Sequence, residues 1–223
     1  MSEFPEPAKV ELTEADYPEL HSKGLKPIVL TRLTIVIDDN DFLIHYNKSE
    51  VASKYDLLAI VPKNSVCLSN LLKSAFRFDI VSFRPDCVRD GVKWQRKLYN
   101  ECVDKYIHFE LMYAPAITSR EERRNIISLA QTYQTVGKSK KVILTSGARF
   151  PLELRAPFDV SNLGFLLGLT ENQGKAGVKQ HCQDVYKAAL GRKLGVFRVR
   201  VEKIGEQSSD DEDESDDSDM DES

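Results

Sequence analysis

Residues 57–83, LLAIVPKNSVCLSNLLKSAFRFDIVSF, decide the fold. Leu57 to Val61 is an almost wholly apolar run closed by Pro62. A short continuous run of this kind reads as a strand buried on both faces. After Asn64 and Ser65, the residues Leu68, Leu71, Leu72, Ala75 and Phe76 recur at helical spacing. Phe78 to Phe83 is a second apolar run, followed by Pro85. Strand, helix and strand in this order form a βαβ unit, whose strands run parallel because the helix carries the chain back.

The pattern repeats outward. Pro27–Ile37 is rich in β-branched residues and closes on the turn signal Asp38-Asp39-Asn40. Tyr106–Tyr113, stopped by Pro115, and Val142–Ser146 are further strands. Val196–Val201 alternates strictly, so one of its faces is expected to meet water. Thr118 and Ser119 each have a Glu three residues on, a doubled capping-box signal. The helix they start carries Ile126, Ile127, Ala130 and Tyr133 and is expected to stop at Gly137. Asp159 is expected to cap a short helix bearing Leu163, Leu166 and Leu167. Thr170 and Gln173 open a last helix with Val178, Cys182, Val185, Tyr186 and Ala189 on one face, ended by Gly191. The pattern fits both an open doubly wound sheet and a barrel.

Charge divides the 223 residues into three regions. The whole chain has 31 Lys+Arg against 35 Asp+Glu, a net of −4. Residues 206–223 hold 11 acids and no base, and residues 1–20 hold 6 acids and one lysine. The body between them, 21–205, is therefore at +12. A basic body with an acidic end points to a nucleic-acid partner. The expected organisation is a low-order acidic leader over 1–26, one domain over 27–205, and a disordered tail over 206–223. No apolar run is long enough for a membrane span, so no membrane partner is expected. Four scattered cysteines without C-x-x-C argue against a disulfide framework or a zinc site.

The tools of common enzymes are missing. There is no G-x-S-x-G, no P-loop and no G-x-G-x-x-G. His21, His45, His108 and His181 form none of the local pairs that seed metal sites. His108 shares a strand face with Glu110; a hydrogen-bonded core histidine is the favoured reading over a metal or acid–base pair. No catalytic residue, metal or cofactor is assigned.

Two segments suit nucleic acid. RPDCVRDGVKWQRK, 84–97, carries Arg84, Arg89, Lys93, Arg96 and Lys97 around the only tryptophan, Trp94. The cations suit phosphates, and the indole suits stacking on an exposed base. The plainer reading is a solvated loop whose Trp covers the core. TSGARFPLELRAPFDVSN, 145–162, leaves the C-terminal end of a strand, where sites sit in α/β sheets and barrels. Ser146-Gly147-Ala148 offers backbone N–H groups, and Arg149 and Arg155 offer bidentate donors. The plainer reading makes Asp159 a cap, Asn162 a helix polar contact and Arg155 an ion-pair partner of a carboxylate.

These residues resemble a family. TRLTIVI (31–37), YDLLAIVP (55–62), FDIVSF (78–83), HFELMYAPAI (108–117), ERRNII (122–127), LTSGA (144–148) and LELRAPFDVSNLGFLLGLT (152–170) form an ordered series. The series resembles the thirty-kilodalton protein subunit of ribonuclease P, shared in eukaryotes with ribonuclease MRP. The resemblance runs from Pro27 to Ile204 and is most specific at R-x-P-x-D-V-x-N-L, 155–163.

It implies a TIM-barrel-like (PHP-type) β/α fold, here expected to lack the family's first one or two β/α units. It implies a non-catalytic RNA-binding subunit of an enzyme whose RNA cleaves the 5′ leader from precursor tRNA, and of the MRP enzyme of rRNA processing. The implied partners are the ribonuclease P and MRP RNA, precursor tRNA indirectly, and other protein subunits. The implied location is the nucleus and nucleolus. Two alternatives stand beside this: a metal-dependent phosphoesterase of PHP type, and a nuclear protein-interaction module without RNA contact. Segment 84–105 matches the family poorly, so the reading of Trp94 rests on its chemistry.

In the tail, Ser208, Ser209 and Ser218 each have an acid three residues downstream and are phosphorylation candidates. The tail is expected to fold back on the basic body and compete with non-specific RNA.

Overall fold

A computed structural model describes residues 4–8, 10–37, 50–86 and 92–196. Among the described residues there are five strands: β1 (Arg32–Ile37), β2 (Leu57–Pro62), β3 (Ile80–Val81), β4 (His108–Met112) and β5 (Val142–Thr145). All neighbours are parallel, and the order in the sheet is β1-β2-β3-β4-β5. This order settles the choice that the sequence pattern left open. A doubly wound sheet reverses its strand order at a switch point, whereas a barrel wall counts upward without reversal. The expected sixth strand, Val196–Val201, lies outside the described residues apart from Val196.

Right-handed crossovers in a monotonic order put every connecting helix on one face. After α1 (Pro18–His21), which precedes β1, those helices are α2 (Glu50–Lys54), α3 (Ser65–Lys73), α4 (Arg96–Asp104), α5 (Ala114–Thr118) and α6 (Arg120–Gly137). Between α3, α4 and α6 and the sheet lies the main core, including Leu58, Ile60, Leu68, Leu71, Phe109, Leu111, Ile126 and Tyr133. Three helices follow β5: α7 (Pro157–Leu166), α8 (Glu171–Val178) and α9 (Gln180–Lys193). α9 crosses the opposite face near the strand starts, where Val185 packs on Ala59, Ile80 and Ile143.

Several boundaries differ from expectation for identifiable reasons. Ser119, not Thr118, caps α6 and accepts from the Glu122 N–H at 3.3 Å. α6 does end at Gly137, but the left-handed residue is Lys138. Gly137 is required because a Cβ there would stand 2.0 Å from the Tyr99 ring. The single last helix is two helices, broken at Lys179. α8 is set by its glycines: a Cβ on Gly174 would meet the Ser161 carbonyl at 2.7 Å, and one on Gly177 the Val142 carbonyl at 3.2 Å. Asp159 is not a cap; Pro157 and the N-cap Ala156 start α7 earlier and leave Asp159 in its first turn. The leader carries α1 and a 3₁₀ turn; Phe4 packs on the core and the Tyr55 hydroxyl donates to the Pro5 carbonyl at 2.8 Å.

The free face of the sheet is curved around a buried carboxylate. Glu110 on β4 is 1% exposed. Arg32 on β1 donates to both its oxygens, at 2.5 and 2.6 Å. The hydroxyls of Ser82 and Thr145 also donate to it, the latter at 2.8 Å. β1 and β4 are three strand spacings apart, about 14 Å along the sheet. Side chains standing out from a flat sheet do not close that gap, so the bidentate pair is a chord across a concave wall. Burial alone raises the Glu110 pKa, but the Arg32 guanidinium and the two hydroxyls outweigh it and hold the carboxyl below its ordinary range.

His108, one step earlier on the same face, is fully buried. It is a core histidine as expected, but neither ring nitrogen has a hydrogen-bond partner among the described residues. Burial, then the neighbouring Lys141 and His181 side chains, push its pKa down to about 3.

Two predictions follow from this face. Arg32→Met leaves Glu110 buried and uncompensated and lowers unfolding free energy by about 3 kcal/mol, the low end for breaking a buried pair. Arg32→Met with Glu110→Gln recovers most of that loss in urea denaturation. The pH dependence separates the two groups. His108 is neutral in the fold but charges in the unfolded chain below pH 6.5, so stability falls from that pH downward, and His108→Leu flattens the slope above pH 4.5. The Glu110 contribution is full above its unfolded value of 4.5 and is lost as pH falls below that through its depressed folded value.

Candidate nucleic-acid and subunit interface

The C-terminal ends of the strands carry two groups of candidates. In the first, Arg84 is exposed and paired with Asp86 at 2.8 Å. Lys93 is exposed and its backbone N–H donates to the Ser65 hydroxyl at 2.9 Å, which ties this loop to the start of α3. Trp94 is half-buried and edge-on to Tyr99, Phe109 and Tyr133, with ring centroids 5.3–5.9 Å apart. Its ring is thus engaged in covering the core. Arg96 and Lys97 are exposed in the first turn of α4. The helix dipole disfavours cations there, so the helix itself gives no reason for them. Arg89 lies outside the described residues, as do Ser208, Ser209 and Ser218.

The second group follows β5. The Ser146 carbonyl accepts from the Ala114 N–H at 2.9 Å, and its hydroxyl from the Ala148 N–H at 3.3 Å. Gly147 is left-handed, with φ of 58°, and sits against Met112. The loop then turns back over Glu153, whose carboxylate accepts from the Arg149 N–H at 2.7 Å. That leaves the Arg149 side chain exposed. Among the described residues Arg155 has no carboxylate partner, which differs from the ion-pair reading. Its Nη1 donates to the Leu152 and Leu154 carbonyls at 2.7 and 2.8 Å, and its backbone N–H to the Tyr113 hydroxyl at 3.1 Å. Arg155 therefore braces its own loop while facing solvent. Asn162 is exposed on α7.

The largest feature of this end escaped the sequence reading. Leu152 is 90% exposed, Phe158 81% and Leu166 74%, and Phe150, Leu154 and Phe165 accompany them. Leu166 was expected to face inward. α7 instead buries Val160 and Gly164, and the Leu167 that follows it is also buried. Phe158 and Phe165, seven residues apart, form a second apolar stripe on its other side. That second stripe was the available signal. Large apolar side chains exposed together along one loop and the helix that follows it mark an interaction site. Among the described residues no group of three His, Cys, Asp or Glu side chains is placed to hold a metal ion, and no helix is long and apolar enough to cross a membrane.

Fold and surface together define the class: a β/α barrel-type domain with an open, cationic and apolar face at its strand ends. The chain belongs to the RNase P subunit p30 family, whose model matches residues 2–194. It is 34% identical over 220 residues to the ribonuclease P protein subunit p30 of Mus musculus, covering 94% of this chain and 78% of the mouse protein. It is 26% identical over 150 residues to the ribonuclease P/MRP protein subunit RPP1 of Saccharomyces cerevisiae, covering 67% of this chain and 49% of the yeast one. A chain in a cryo-EM structure of archaeal ribonuclease P with mature tRNA has the same fold. It aligns with a TM-score of 0.58 at 16% identity, over 91% of this chain and 88% of that one.

Gly147→Ala is expected to cost about 1–2 kcal/mol, since the left-handed backbone strains any side chain and the added Cβ meets the Met112 sulfur at 2.8 Å. Thermal unfolding measures the loss.

Proposed function

We propose that this chain is a non-catalytic, RNA-binding scaffold subunit of ribonuclease P and of ribonuclease MRP. The observation that carries the reading is the juxtaposition at one end of the sheet. An exposed apolar strip, centred on Leu152 and Phe158, lies beside the exposed cations Arg149 and Arg155. Family membership names the particle. In this reading the strip docks another protein subunit, because large exposed apolar side chains supply most of the affinity at protein interfaces. Arg149, Lys93, Arg96 and Lys97 meet phosphates of the ribonuclease P or MRP RNA. Precursor tRNA is reached through the assembled particle. In this reading hydrolysis is the work of the RNA; among the described residues no group of three His, Cys, Asp or Glu side chains is placed to hold a metal ion. The particle places the chain in the nucleus and, for rRNA processing, in the nucleolus.

Two measurements test this. Leu152→Asp with Phe158→Asp is expected to reduce co-purification of the other protein subunits by tenfold or more, at about 2 kcal/mol for a central anchor, while the unfolding temperature stays unchanged. Arg149→Ala is expected to weaken RNA binding and to lower the salt slope of log K by about one unit. Undiminished assembly by the first variant would remove the strip from the interface. Cleavage of precursor tRNA by the purified chain alone would contradict the non-catalytic reading.

A further inference from the structure

The opposite end of the sheet holds a cavity that the proposed function does not use. It has a volume of about 710 Å³ and lies where β3, β4 and β5 begin, under α9. Among the described residues, Arg77, Lys105, Lys141, Lys187 and Arg192 line it, against two carboxylates, Asp79 and Asp184. Both carboxylates are committed. Asp79 is 3% exposed and accepts three contacts from Arg192, at 2.9–3.2 Å, and one from the Leu58 N–H at 2.8 Å. Asp184 stands 3.6 Å from Lys141, whose ammonium also lies over the Tyr106 ring. Lys105 is turned to the Leu72 carbonyl and meets no carboxylate among the described residues. Lys187, half-buried on α9, meets no carboxylate among the described residues. Most of the rest of the wall is apolar, with Phe76 stacked on Phe78, and low-dielectric walls focus the field of the cations.

Val196 lines this cavity, and the chain continues from it. Nine residues, 197–205, separate it from the acidic segment that starts at Glu206. They span at most about 32 Å. The segment carries 11 acids and no base. A tether this short keeps its effective concentration in the millimolar range.

We propose that the acidic segment 206–217 docks in cis at the mouth of this cavity, over Lys187 and Lys105. The cavity is an anion site for a carboxylate-rich peptide, and the occupant is the chain's own tail. Docking there screens the cations at the strand starts from stray phosphates. It leaves Arg149, Lys93, Arg96 and Lys97 at the other end open. Non-specific RNA is thereby kept off one end of the molecule only. Phosphate on Ser208 or Ser209 adds about −1.5 to −2 charges each and tightens the docking.

The test compares amide NMR spectra of the full chain with those of a full chain carrying Asp210→Asn, Asp211→Asn, Glu212→Gln, Asp213→Asn and Glu214→Gln, at low salt. The expected differences, beyond the tail itself, cluster at residues 74–78, 105–107 and 187–192. They vanish when both are measured at 0.5 M salt. Lys187→Gln in the full chain is expected to halve or abolish the displacement of the tail amides. Since the folded body keeps its sequence in both chains, misfolding does not mimic the result. Differences that cluster at 84–97 or 149–155, or an absence of differences outside the tail, would overturn the proposal. So would displacement of the 187–192 amides by an added single-stranded RNA equally in both chains, which would make the cavity an RNA site that the tail does not guard.

Discussion

The Arg32–Glu110 pair is the constraint on which the rest of the structure depends. Five parallel strands in rising order leave one face without crossover helices. Something must hold that face concave and satisfy whatever polar groups it buries. A carboxylate at 1% exposure is costly unless it is ion-paired and hydrogen-bonded. Glu110, on β4, meets both conditions by drawing on β1, β5 and the residue after β3. The same four contacts that offset its desolvation fix the curvature of the sheet. They also set where the strand ends point, and hence where the loops after β3 and β5 stand.

Two ends of one sheet then acquire different chemistry. At the strand starts, α9 closes the face with Val185 and anchors through Arg192 on Asp79 and Lys193 on Asp56. At the strand ends, the loop 146–156 and α7 project outward and spend their hydrogen bonds internally: Glu153 on the Arg149 N–H, Arg155 on its own carbonyls. A loop braced in this way keeps Leu152 and Phe158 in water at little cost in order. An isolated fold gains nothing from such exposure. A subunit of a larger particle does, because the area is buried on assembly.

The fold was legible in the sequence wherever the physics was local. Leu57–Val61 and Val142–Ser146 are apolar on both faces and so read as buried parallel strands, and Ser119 with Glu122 announced α6. What was not legible depends on residues that meet only in space. Arg32 and Glu110 are 78 positions apart. Gly137 reads as a helix terminator, whereas the Tyr99 ring is what requires it. Gly174 and Gly177 lie against Ser161 and Val142, a close approach made only in space. For the site, the strand-end loops and their arginines were visible in the pattern of proline, glycine and charge. The apolar strip was not, because Leu166 and Phe165 look like core residues until the helix is placed. Trp94 carried two readings of similar weight, and its three aromatic neighbours explain why an indole stands in a basic loop at all.

The central claim is that this chain works inside a ribonucleoprotein. The most direct measurement is sequencing of the RNA that co-purifies with the tagged full chain from its own cells. The account predicts strong enrichment of the ribonuclease P RNA together with the MRP RNA. Enrichment of neither, with the chain folded and expressed, would contradict it.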